Sequence, residues 1–161
     1  MIRPTLRFLL QHPAHFIALG FGAGLAPFAP GTFGTVVAIP IAVALRTYTG
    51  EIGYLVATGV LLVVGVWAAH VAGRALDSLD HGSIVIDEVV AFLLVLFFAG
   101  TTPLRIAVAF VLFRFFDIVK PPPIRQLDAT LKGGLGVMLD DLLAAGYALI
   151  VFAVGQRVLA S

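Results

Sequence analysis

The stretch IGYLVATGVLLVVGVWAAHVAG, residues 52–73, contains no Asp, Glu, Lys or Arg. It is bounded by Glu51 and Arg74. An α-helix needs about 20 mostly apolar residues to cross a bilayer, so this run is long enough to do so. A helix also satisfies its own backbone hydrogen bonds inside lipid, whereas a lone strand does not. The stretch therefore predicts a membrane-spanning helix.

The composition of the whole chain agrees with a membrane protein. Its 161 residues are 60% hydrophobic and 12% charged, with a mean hydropathy of +1.07, whereas soluble domains carry roughly 25% charged residues. Disordered chains have the opposite composition. The net charge of +1 provides no basic excess for nucleic acid, and the absence of cysteine excludes disulfides and cysteine nucleophiles. The length predicts a single domain, residues 1–161.

Four further apolar segments are predicted as helices, namely residues 32–46, 89–99, 104–116 and 142–154. The block GFGAGLAPFAPGTFG precedes the first of them, and its glycines and prolines interrupt regular helix. We expect a re-entrant or interfacial loop there. No small-residue cleavage site follows the N-terminal apolar stretch, so a cleaved signal peptide is not expected. The predicted fold is all-α, a compact multi-helix membrane domain of about five hydrophobic helices.

The order of the helices predicts where the charges lie. If each helix crosses the membrane once, eight of the nine acidic residues fall on the side of the Gly/Pro loop. They are Asp77, Asp80, Asp87, Glu88, Asp117, Asp128, Asp140 and Asp141. Seven of the ten Lys and Arg residues fall on the same side, which the positive-inside rule makes cytoplasmic.

Two adjacent acidic pairs, Asp87-Glu88 and Asp140-Asp141, stand where apolar segments begin. The simplest interpretation is that they are helix-start carboxylates, which the helix dipole favours. However, ionisable residues at the edge of a membrane segment are costly and usually functional. Oxygen ligands without His or Cys suit Mg²⁺ in particular. We therefore favour a magnesium site over simple caps.

Cationic residues accompany a further acid in the run FRFFDIVKPPP. Arg114, Asp117 and Lys120 are spaced three residues apart, so they lie on one face while the segment is helical. The alternative is a salt-bridge ladder at the membrane edge, with its cations reaching lipid phosphates. The functional interpretation has Asp117 joining the metal site while Arg114 and Lys120 hold a phosphate. Arg125 can act in the same way.

Two weaker signals lie elsewhere. The Gly/Pro loop, with Thr32 at the start of its helix, is a candidate phosphate cradle, although it matches no standard phosphate-binding motif and Thr32 can be a simple cap. Asp77, Asp80 and His81 have i, i+3, i+4 spacing that allows a metal site. Gly82 after them equally favours a solvated turn.

Four ordered blocks carry a family resemblance: GAGLAPFAPGTFGT, DHGSIVIDEVV, FRFFDIVKPPPIRQLD and GGLGVMLDD. Together they resemble the phosphatidylglycerophosphatase A family. The family pattern has a glycine where this chain has Ala91 and an aromatic residue where it has Pro122, and neither departure touches the charged set.

The resemblance implies a Mg²⁺-dependent enzyme of the bacterial inner membrane. Such an enzyme hydrolyses the phosphomonoester of phosphatidylglycerophosphate to phosphatidylglycerol and inorganic phosphate, on the way to cardiolipin. Combined with the charge pattern, it leads to one hypothesis for the site. Asp87, Glu88, Asp140 and Asp141 hold one or two Mg²⁺, while Asp117 completes the site or activates water. Arg114 and Lys120 stabilise the phosphoryl oxygens.

Alternatives remain at this stage. Metal-bound water is the preferred nucleophile, but a carboxylate forming an aspartyl-phosphate is also possible. A membrane cation or proton transporter can also use clustered carboxylates. Against it, a proton path needs polar groups through the whole membrane, and the acids gather at one end. A purely structural subunit gives no reason to gather them.

Overall fold

The computed structural model describes residues 3–126 and 134–159 and contains only helices and loops over those ranges. Two short helices, α1 and α2, and a 3₁₀ segment, Gly20–Leu25, precede five long helices. The helices are α1 (Leu6–Gln11), α2 (Pro13–Ala18), α3 (Pro30–Tyr48), α4 (Gly50–Ala75), α5 (Ile86–Ala99), α6 (Pro103–Val119) and α7 (Gly134–Leu159). The all-α prediction, with five long helices, is confirmed.

Three of the helices in the described ranges are long and apolar enough to cross a membrane, namely α3, α4 and α7. Their outer faces are apolar and exposed, as at Val63 of α4, which is 71% exposed, and Ile150 of α7, which is 63% exposed. Large contiguous apolar surface is a liability in water. These faces are therefore suited to lipid.

Helix α5 forms the centre of the bundle and packs against α3, α4, α6 and α7. Its side chains Phe92, Leu93 and Leu96 are completely buried. At 14 residues it is about 21 Å long, shorter than a hydrocarbon core of roughly 30 Å. Because its neighbours surround it, α5 does not need to meet the lipid along its length.

Small residues let the neighbouring helices approach each other closely. Ala68, Ala69 and Ala72 of α4 are fully buried. A Cβ on Gly134, at the start of α7, would overlap the backbone carbonyl of Val66. Such small residues are typical of helix contacts in membranes. They bring the start of α7 against α4.

The Gly/Pro loop is irregular, as its sequence predicts. Phe21 and Ala29 have positive φ values of 60° and 44°, so two non-glycine residues take the left-handed conformation. The Val85 N–H donates to the Ala18 carbonyl at 2.9 Å and ties this region to the residues before α5. Helix α3 begins at Pro30 with Ala29 as its N-cap, so Thr32 lies inside the first turn and is not the cap.

Candidate active site

Three carboxylates from two helices meet at one end of the bundle. Asp87 and Glu88 lie in the first turn of α5, and Asp141 lies in the early part of α7. One carboxylate oxygen from each lies within 4.8 Å of the other two. We call these three residues the carboxylate cluster. It contains both members of the first acidic pair, Asp87 and Glu88, and one member of the second, Asp141.

Two acids of the cluster are buried, and the third, Glu88, is partly buried. Asp87 is 8% exposed and Asp141 is 3% exposed. Among the described residues, no hydrogen-bond donor reaches Asp87 Oδ1, Glu88 Oε2 or Asp141 Oδ2. Buried charges of one sign cost several kcal/mol each unless a counter-charge compensates them. These oxygens therefore fit a divalent cation, and the cluster can hold a metal ion.

Helix α6 adds a cation and a fourth acid beside the cluster. Arg114 Nη1 lies 2.6 Å from Asp117 Oδ2 and 3.7 Å from Glu88 Oε1. Asp117 also lies close enough to Asp141 for their carboxyl groups to interact directly. The nitrogen Nε of Arg114 is buried without a hydrogen-bond acceptor among the described residues. A guanidinium with unmet donors beside the cluster can receive an anionic group.

The second acidic pair is divided between two partners. Adjacent helical residues point about 100° apart, so Asp141 joins the cluster while Asp140 forms an ion pair with Lys120. Lys120 ends α6 in the left-handed conformation, with φ of 44°. The sequence hypothesis gave Asp140 and Asp141 the same role, whereas in the structure Asp140 contacts the predicted phosphate-binding lysine.

The remaining described candidates do not belong to the carboxylate cluster. Thr32 is half-buried in the first turn of α3, and Arg125 is exposed beyond the three prolines. Asp80 is exposed and His81 is buried, and neither belongs to the carboxylate cluster. The His81 Nδ1 accepts a hydrogen bond from the Ser83 N–H at 3.2 Å. Asp128 lies outside the described residues.

Gly31 borders the site, although patterns of residue types in the sequence do not predict it as a site residue. A Cβ at this position would overlap Glu88 Oε1 and would lie 3.2 Å from Arg114 Nη1. The first turn of α3 therefore forms one wall of the site, and any side chain at position 31 would displace the Glu88 carboxylate. The signal available in the sequence is the APGT stretch of the Gly/Pro loop, which places Gly31 at the start of a helix.

Comparison with known proteins adds a family assignment to this geometry. The profile of the family described as Phosphatidylglycerophosphatase A matches residues 16–156. A Haemophilus influenzae protein named phosphatidylglycerophosphatase A is 41% identical over 149 residues, which cover 92% of this chain and 91% of the relative. An Escherichia coli protein of the same name is 36% identical over 139 residues, or 86% and 80% of the two chains.

A third relative carries a different name. It comes from Bacteroides thetaiotaomicron, is provisionally named phosphatidylinositol-3-phosphatase, and is 38% identical over 150 residues, or 89% of this chain and 93% of the relative. No solved structure matches the chain.

Proposed function

Because the chain belongs to the phosphatidylglycerophosphatase A family, we propose that it hydrolyses the phosphomonoester of phosphatidylglycerophosphate. The products are phosphatidylglycerol and inorganic phosphate. The observation that carries this proposal is the carboxylate cluster beside Arg114. Among the described residues, one oxygen of each acid has no hydrogen-bond donor, and Arg114 Nε has no acceptor. Phosphoryl transfer depends on this combination of a cation site and positive side chains.

The proposed cofactor is Mg²⁺, held by Asp87, Glu88 and Asp141. The all-oxygen ligand set supports a hard cation, and Mg²⁺ needs few protein carboxylates because it keeps several waters. When bound, the ion supplies positive charge to the phosphoryl oxygens and lowers the pKa of a water ligand. Asp140, which the sequence hypothesis included as a ligand, is assigned here to its ion pair with Lys120.

The chain's own residues position the substrate and move the proton. Arg114 binds the phosphoryl oxygens, and its contacts with Asp117 and Glu88 hold the guanidinium in place before substrate arrives. Lys120, held by Asp140, provides a second positive charge. Asp117 lies at the edge of the cluster and accepts a proton from the attacking water at its carboxylate. Thr32 and Arg125 are assigned to secondary contacts with the phosphate.

The proposed location is the bacterial cytoplasmic membrane, with the site on the cytoplasmic side. The excess of Lys and Arg on the side of the acids supports this orientation. A transporter has less support. In the long apolar helix α4, the formally charged residues are Glu51 and Arg74, one near each end. A path for ions across the membrane needs polar groups between such ends.

The test is phosphate release from phosphatidylglycerophosphate by detergent-purified protein, with Mg²⁺ or with a chelator. We expect release to require the metal, and Asp87→Asn and Asp141→Asn to lower turnover about 100-fold or more. The matched control is Glu51→Gln, which neutralises an exposed acid remote in sequence from the cluster and should keep wild-type turnover. Near-normal turnover of Asp141→Asn would remove that residue from the site. No release by folded wild-type protein would contradict the proposed reaction.

A further inference from the structure

A cavity lies beside the first turn of α3. It has a volume of about 440 Å³ and is bounded by the N-terminal residues, the Gly/Pro loop and the connection between α4 and α5. Arg3, Pro27, Pro30, His81 and Ser83 are among its lining residues. We call it the N-terminal recess. Neither the metal nor the scissile phosphate of the proposed reaction uses it.

The recess adjoins the carboxylate cluster. Pro30 lines the recess, and Gly31, the next residue, lies against Glu88 and Arg114. Neighbouring Cα atoms are about 3.8 Å apart, so a single turn of backbone separates the two spaces. On the opposite wall, the chain runs from Ser83 through Val85 into α5, which carries Asp87. The two spaces therefore share the first turn of α3 as a common wall.

The lining of the recess is suited to an anion. Among the described residues that line it, Arg3 is a cation and none is an acid. His81 accepts a hydrogen bond at Nδ1 from the Ser83 N–H, which holds its ring in the wall of the recess. The Ser83 side chain adds a hydroxyl. A guanidinium together with a hydroxyl donor can bind the oxygens of a phosphate group.

The walls of the recess are fixed by close packing. A Cβ on Gly24 would overlap the Ser83 carbonyl, so the Gly/Pro loop and the α4–α5 connection touch through their backbones. The Val85 N–H also donates at 2.9 Å to the carbonyl of Ala18, the last residue of α2, which ties the α4–α5 connection to the chain just before the loop. The recess is thus shaped before a ligand binds, which lowers the entropic cost of binding.

We propose that the N-terminal recess binds the phosphodiester of the lipid headgroup while the carboxylate cluster receives the phosphomonoester. This inference rests on the proposed function and names how the substrate is recognised. The names of the relatives describe two lipids, phosphatidylglycerophosphate and a phosphatidylinositol 3-phosphate. In both, a phosphodiester joins diacylglycerol to the alcohol that carries the monoester. A diester site next to the reaction centre suits either lipid.

Exposed aromatic residues connect the recess to the lipid. Phe28, which follows Pro27 of the lining, is 69% exposed, and it contacts Phe33 edge to face at 5.8 Å. Exposed phenylalanines of an interfacial segment insert their rings at the boundary between headgroups and acyl chains. A lipid whose diester occupies the recess can therefore keep its chains in the bilayer.

The experiment compares two inhibitors of phosphate release from phosphatidylglycerophosphate. Short-chain phosphatidylglycerol carries the diester without a monoester, and inorganic phosphate resembles the monoester alone. We expect Arg3→Gln to weaken inhibition by phosphatidylglycerol about tenfold, the loss of one charge-assisted contact. Inhibition by inorganic phosphate should stay at the wild-type level. The control is Arg7→Gln, an exposed arginine of α1 outside the recess lining, which should leave both constants unchanged.

Three results would overturn the inference. Unchanged inhibition by phosphatidylglycerol in Arg3→Gln would mean that the recess does not bind the phosphodiester. An equal loss of inhibition by inorganic phosphate would assign the recess to free phosphate. An equal effect of Arg7→Gln would indicate general attraction to the membrane surface. Each leaves the proposed reaction standing, whereas absence of phosphate release by the wild-type protein would contradict the proposed function itself.

Discussion

Gly31 shows how a residue without a side chain can shape a charged site. The first turn of α3 lies directly against the Glu88 carboxylate because nothing projects from Gly31. The helix N-terminus carries partial positive charge, which favours an anion beside it. Glu88 therefore meets Gly31 on one side and Arg114 on the other, so its oxygens are held in position toward Asp87 and Asp141.

We expect Gly31→Ala to lower turnover about 10- to 100-fold, since its methyl group displaces the Glu88 carboxylate and a small displacement of a catalytic group has effects of this size. Phosphate release at saturating lipid and Mg²⁺ measures the change. Gly146→Ala in α7 is the matched control, because a Cβ there meets nothing within 4 Å. Wild-type turnover in Gly31→Ala would show that this wall does not position Glu88.

The division of Asp140 from Asp141 belongs to the same scale. Both acids are buried one residue apart, yet one pairs with Lys120 and the other faces the cluster. The sequence predicts that adjacent helical residues diverge. It does not predict which of them faces which partner, because that depends on the rotation of α7 about its axis. Small residues such as Gly134 set that rotation by their contacts with α4.

At the scale of the element, α5 is anchored at both ends. Its first turn carries the acids, and its last carbonyls are bound from α3, where Arg46 Nη2 donates to the Phe97 carbonyl at 2.6 Å and lies within 3.4 Å of the Leu96 carbonyl. A cation at a helix C-terminus also interacts favourably with the helix dipole. Arg46 thus stabilises the helix at the end opposite the site.

Replacement of this arginine separates stability from chemistry. We expect Arg46→Met to lower the free energy of unfolding by about 1 kcal/mol, because the contact is partly exposed, while turnover at low temperature stays near the wild-type value. The midpoint of thermal unfolding in detergent checks this. Arg157→Met, at the exposed end of α7, is the control. An equal shift in both variants would assign the effect to net charge.

The boundaries of the helices show where sequence reasoning worked. The helix predicted at residues 52–73 is Gly50–Ala75 in the structure. The prediction is close because the charged residues Glu51 and Arg74 lie near the two ends of the helix. Segments predicted at residues 89–99 and 142–154 begin earlier, at Ile86 and Gly134. In both cases the prediction starts the helix after the charged residues. These acids are instead inside the helix, since they belong to the buried site.

The proposed active site lies at one end of the whole molecule. Helices α3, α5 and α7 start at this end and α6 finishes there, which gathers Gly31, Asp87, Asp117 and Asp141. The order of the helices was enough to predict that the acids share one side, since parity depends only on how often the chain crosses. The order of the helices does not predict how deeply each acid is buried, because the burial depends on the packing of neighbouring helices around α5.

The orientation of this end can be tested directly, because the chain has no cysteine. Tyr48→Cys places a thiol at the α3–α4 turn, where Tyr48 is 84% exposed. Ser78→Cys places one in the α4–α5 connection, at the end of the bundle where α5 begins. We expect a membrane-impermeant maleimide to label Tyr48→Cys in intact spheroplasts, and Ser78→Cys only after permeabilisation. The reverse pattern would place the site on the outer face of the membrane.

The enclosure of α5 also bears on how the protein is made. A helix of 14 residues that carries two acids inserts poorly into a membrane by itself, because it is short and charged. Its place exists only once α3 and α4 are in the bilayer, and α7, which is synthesised after it, supplies Asp141 to the cluster. The proposed catalytic centre is thus expected to form late in biogenesis. We expect a nascent chain to acquire activity only when its helices have assembled around α5.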